Sequence, residues 1–176
     1  MNRQKRERYL PEFVYGAIDG SVTTFAVVAG SIGASLSPAI ILILGFANLF
    51  ADGFSMAISN YLSTKSQNEI YSMHKHKHEH KKNPKRTALA TFISFLLIGL
   101  IPLASFVLAL FIPNLVPYQF KISIVLTAVA FLIVGFIKGK IVKIRPVKSS
   151  LETLVIGGIA ALLAFLVGYL LRGLVV

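Results

Sequence analysis

Two aspartates, Asp19 and Asp52, flank the long uncharged stretch Gly20 to Ala51, where the apolar pattern would place both inside a membrane. A carboxylate at membrane depth is costly, and where one occurs it usually faces a bundle interior or an ion path. Asn48, Asp52, Ser55, Ser59 and Ser63 succeed one another at helical spacing, with Met56 and Asn60 beside them. Gly16, Gly20, Thr23, Val27, Gly30 and Ala34 form a second stripe of mostly small residues, and Gly16-x-x-x-Gly20 permits close helix approach. An ordinary packing seam explains the serines and glycines as readily as a path does. For the aspartates a seam is the weaker reading.

Depth brings a further ligand type into play. Asp19 lies about 9 Å in from the basic end of a first span beginning near Phe13, and Met56 about 10 Å in from the same end of an antiparallel second span. The two could meet at one level, with Asp52 one turn deeper. Carboxylate oxygen with thioether sulfur suits a borderline transition metal better than Mg²⁺ or Ca²⁺, which prefer oxygen alone. Methionine also fills core gaps, so the sulfur alone is a weak signal.

His74, His76, His78 and His80 alternate in one short run, which puts them on one side of an extended segment and not of a helix. Neutral imidazole binds Fe, Zn, Ni or Cu. Interleaved lysines repel a divalent cation, so a solvated basic loop stands beside metal capture as a reading of this run. Glu69 and Glu79 are the carboxylates nearby.

These residues need a scaffold, and composition names it. Of 176 residues 55% are hydrophobic and only 14% charged, with mean hydropathy +0.74; soluble domains carry about 25% charged residues. The expected fold is an all-α integral membrane protein with one membrane domain. Its spans fall at about 13–34, 39–63, 87–112, 119–137 and 151–171, with a His/Lys-rich loop at 64–86. A polar helix, Thr64–Ser72, is expected to extend the second span, and Pro102 predicts a kink in the third.

Of the 18 Lys and Arg, 16 lie in the N-terminal tail and in the loops after spans two and four; only Lys121 and Arg172 fall on the other side. This pattern requires an odd number of spans, with a cytoplasmic N-terminus and the C-terminus outside or in a lumen. Topology therefore accounts for the net charge of +11, and nucleic acid is not expected as a partner. The chain has no cysteine, so thiol chemistry is excluded. With no Gly-rich phosphate loop, nucleotide motif or nucleophilic triad, neither an enzyme nor an ATP-driven pump is expected, and no cofactor.

The run Gly16-Ala17-Ile18-Asp19-Gly20-Ser21-Val22-Thr23, followed by Val27-Val28-Ala29-Gly30, resembles the first-span motif of the vacuolar iron transporter family. Gly45 to Ala57, then Tyr61-Leu62-Ser63 and Ser66-Gln67, resemble its second-span motif, so the likeness covers about residues 13–70. The resemblance implies a homodimer that exchanges a divalent metal, chiefly Fe²⁺, for protons and moves it out of the cytosol. It also implies a path at the dimer interface lined by the first spans. Asp19 matches the family's metal- and proton-binding aspartate, and Met56 its methionine ligand. Many members have an acid where this chain has Asn60. Larger members carry a helical metal-binding domain between spans two and three, for which the His-rich run would be a reduced substitute.

The expected activity is thus secondary transport of Fe²⁺, with Mn²⁺, Co²⁺ and Zn²⁺ as further candidates, in a prokaryotic plasma membrane. A membrane metal sensor or scaffold, and a purely structural helix bundle, are the competing readings.

Overall fold

The computed structural model describes residues 8–73 and 81–174. Every regular element among them is helical. Helix α1 spans Leu10–Gly33, α2 Pro38–Met73, α3 Pro84–Gly99, α4 Ile101–Phe111, α5 Gln119–Ile141 and α6 Pro146–Leu171, with 3₁₀ turns at Pro113–Tyr118 and Arg172–Leu174. Four segments, containing α1, α2, α5 and α6, are each long and apolar enough to cross a bilayer. The pair α3 and α4, bent by 49°, makes a fifth.

The bend has a local cause. Pro102 sits in the first turn of α4 and has no N–H to give to the preceding turn. Its buried carbonyl instead accepts a 2.6 Å hydrogen bond from the Ser123 hydroxyl of α5, which anchors the break to the bundle. Proline also sets helix starts: α2, α3 and α6 begin at Pro38, Pro84 and Pro146, where a missing N–H costs no intrahelical bond. For this reason α6 starts five residues before the span expected at Leu151. Helix α2, 36 residues long, runs unbroken through Thr64–Ser72. At 1.5 Å per residue it is about 54 Å long, well beyond the roughly 30 Å hydrocarbon core.

Helix α1 is the hub, packing chiefly against α3 and α6 and also against α2 and α5. Its core cluster joins Phe25, Val28 and Ala29 to Ile41, Leu103, Phe106 and Ala161. Gly16 and Gly20 are used here, inside the protomer. A Cβ on Gly16 would collide with the Thr91 carbonyl and Ser94 hydroxyl of α3, and one on Gly20 would lie 2.9 Å from the Phe95 Cα. The small-residue stripe near Asp19 is at this point a packing seam and not a surface for a partner. Gly20→Ala should cost about 1–3 kcal/mol through overpacking against α3 backbone. A lowered thermal unfolding midpoint in detergent checks this, and an unchanged midpoint would mean that α3 is not held where described.

Side-chain hydrogen bonds join α2 to α3. Asn60 Nδ2 donates to Thr91 Oγ1 at 2.6 Å, and the Thr64 and Thr87 hydroxyls lie 3.0 Å apart. Asn60, where the family resemblance leads one to expect an acid, has its amide committed to this seam.

Candidate metal path

The residues of α1 that α3 and α6 do not cover form a half-exposed face containing Ile18, Asp19, Val22, Thr23 and Ala26. Asp19 is thus placed on an otherwise largely apolar face, its backbone carbonyl accepting a 2.8 Å bond from the Thr23 hydroxyl. The carboxylate of Asp52, on α2, acts on it across the α1–α2 contact. Asp52 is exposed on a helix of membrane-spanning hydropathy.

Helix α2 buries only a narrow line of residues, among them Gly45, Leu49, Gly53 and Ala57. Its neighbouring face carries Asn48, Asp52 and Met56, each one turn from the next. Met56 is half-buried, and the Asn48 side-chain nitrogen is buried without a hydrogen-bond partner. Ser55, Ser59 and Ser63 are exposed beside them. The arrangement offers carboxylate oxygens from two helices and, one turn along α2, a thioether. Among the described residues no third His, Asp or Glu joins a metal-binding group.

Glu12 was not among the residues singled out from sequence. It lies seven residues before Asp19 on the same face of α1, two turns nearer the basic end, with its side chain only 12% exposed. Lys82 Nζ pairs with Glu12 Oε1 at 2.6 Å, while Oε2 is buried without a partner. Lys82 is held in turn by a clasp of side chains. Asn68 Nδ2 donates to its carbonyl at 2.8 Å, Lys81 Nζ donates to the Ser72 hydroxyl at 2.6 Å, and the Arg8 guanidinium donates to the Lys81 carbonyl. Asn83 completes it, giving its N–H to the Tyr9 hydroxyl and capping α3 through bonds from Lys85 N–H and Arg86 N–H.

Lys82→Met would leave a buried carboxylate unpaired and should cost about 2–3 kcal/mol. Removing both charges with Glu12→Gln should recover most of that loss, and a double-mutant cycle measured by unfolding in detergent would show it. Additive losses would mean that the pair contributes nothing. Glu69 lies exposed on the polar end of α2. His74, His76, His78, His80 and Glu79 lie outside the described residues.

The VIT family model matches residues 10–83 and 73–169, nearly the whole chain. The chain belongs to the VIT family. It is 30% identical to a vacuolar iron transporter of Centaurea cyanus, across 94% of this chain and 91% of that protein. It is 32% identical to vacuolar iron transporter homolog 4 of Arabidopsis thaliana, across 88% and 79%, and 25% identical to a vacuolar iron transporter of Plasmodium berghei, across 93% and 82%. VIT family relatives differ in length against it. The Plasmodium protein takes 225 aligned positions to cover 93% of this chain, whereas the Arabidopsis homolog takes 162 to cover 88%. The former therefore has dozens of positions with no counterpart here. The two stretches that the family model matches meet at 73–83, the connection between α2 and α3.

Proposed function

We propose that this chain is a secondary transporter of divalent transition metals, chiefly Fe²⁺ and then Mn²⁺, Co²⁺ or Zn²⁺, that exports metal from the cytosol in exchange for protons. The observation that carries the reading is the pair Asp19 and Asp52, two carboxylates on adjacent membrane-spanning helices, one half-buried and one exposed. Their mutual repulsion is relieved by a cation, and Met56 supplies sulfur that selects a softer one. Relatives named vacuolar iron transporter support iron as the first substrate.

The working unit is a homodimer. Asp19 and Asp52 sit on uncovered faces of α1 and α2, where lipid would be a poor neighbour for charge. A second copy across these faces shields the carboxylates and doubles the ligand set into a shared path. Metal binding needs deprotonated oxygens, so proton and metal compete for Asp19. A proton from the acidic side releases the ion, and cytosolic metal displaces the proton. Glu12 stands at the basic end of the same face, which we assign to the cytoplasm because cytoplasmic loops are rich in Lys and Arg. The His-rich run just before Lys81 serves as a capture segment for incoming metal. A prokaryotic plasma membrane is the setting we assign.

Uptake of radioactive iron(II) into proteoliposomes, with and without an imposed pH gradient, tests the reading. Gradient-dependent accumulation is expected. Metal binding with no accumulation would make the protein a sensor or scaffold.

A further inference from the structure

On the other flank of α2, away from Asp52, the helix forms a groove with α3. The groove has a volume of about 300 Å³ and is lined by Phe54, Ile58, Tyr61, Lys85, Leu89 and Phe92, among others. Its walls follow from helix register: Phe54, Ile58 and Tyr61 recur at helical spacing on α2, as do Lys85, Leu89 and Phe92 on α3. Lys65 continues the α2 row one turn beyond Tyr61 and is exposed. The cross-helix bonds Asn60–Thr91 and Thr64–Thr87 fix an antiparallel register that sets Lys65 level with Lys85 and Arg86. The groove is therefore apolar along its length, with Lys85 lining one end and Lys65 level with it on α2. The ion pairs between described residues are Glu12–Lys82 and Lys138–Glu152, and neither uses Lys65 or Lys85.

That polarity matches one occupant. We propose that the α2–α3 groove binds an anionic phospholipid of the leaflet at the basic end, with Lys65 and Lys85 on its phosphate and an acyl chain along Phe54, Ile58 and Leu89. Basic residues at the membrane surface recognise anionic headgroups, and those between helices form defined lipid sites. A second copy of this chain fits the groove poorly, because a two-fold contact there would set the same lysines against each other. The inference does not depend on transport. It needs only that the helices span a membrane.

Native mass spectrometry of the full chain, released from micelles containing phosphatidylglycerol or phosphatidylcholine, tests it. The wild type should retain phosphatidylglycerol preferentially. Lys65→Gln and Lys85→Gln should each weaken that retention about fivefold, whereas Lys121→Gln with Arg172→Gln, at the other end of the bundle, should leave it unchanged. Ala88→Phe, which fills the groove, should reduce retention with the lysines intact. Equal retention of both lipids by the wild type, or an equal loss in the Lys121/Arg172 variant, would overturn the site. So would an Ala88→Phe protein that loses its dimer instead of its lipid.

Discussion

Reconstituted Asp19→Asn protein is expected to fold and dimerise yet show no proton-coupled Fe²⁺ transport. Asparagine keeps the size and much of the hydrogen bonding of aspartate, so the half-exposed face should survive, as should the packing of the opposite side of α1 against α3. It can neither ionise nor exchange a proton, and it removes one of the two carboxylates on the adjacent helices α1 and α2. A charged ligand contributes both attraction for the cation and the titrating group of the exchange, so a loss of more than about 100-fold in initial rate is expected, at the upper end of losses at metal sites. Asp52→Asn should be milder, about tenfold, because Asp52 is exposed and Asp19 still ionises. Monomer–dimer state by crosslinking, measured beside the flux, separates misassembly from lost chemistry. An Asp19→Asn protein that still moved Fe²⁺ with the wild-type pH dependence would overturn the mechanism.

Met56→Leu conserves volume and removes sulfur. Because Met56 is half-buried on the α2 face that also bears Asn48 and Asp52, leucine should fit with little change in stability. Its effect should depend on the metal. Thioether ligation favours softer ions, so transport of Fe²⁺ and Co²⁺ should fall about tenfold, while Mn²⁺, which is content with oxygen, should fall far less. Competition uptake with the three ions in the same proteoliposomes reads the ratio directly. Equal losses for all three would make Met56 a packing residue.

Local patterns made some of this molecule readable in advance. The apolar runs were long enough to mark membrane-spanning helices, Pro102 signalled the broken third span, and Asp19 and Asp52 stood out against uncharged surroundings. Pairing across the chain was not readable. Glu12 fell just outside the expected first span, and its partner Lys82 lies 70 residues away, so no local periodicity joins them. The glycine spacing of α1 announced a close helix approach without saying which helix approaches. Steric fit against Thr91, Ser94 and Phe95 decided for α3. Asn60 looked like a lost ionisable group, and only the fold shows its amide bridging to Thr91.

The narrow buried line of α2 has a mechanical consequence. Within one protomer, a stiff rod supported along one thin edge rocks more easily than one gripped all round, and the polar end beyond Thr64 extends the rod by about 15 Å. That overhang works as a lever arm with the α3 seam as its fulcrum. The overhang is tethered midway, through Asn68, to Lys82, whose ammonium sits on Glu12. A rocking motion at the level of Asp52 would therefore pull at the basic end of the α1 face, linking the middle of the bundle to that end by leverage alone.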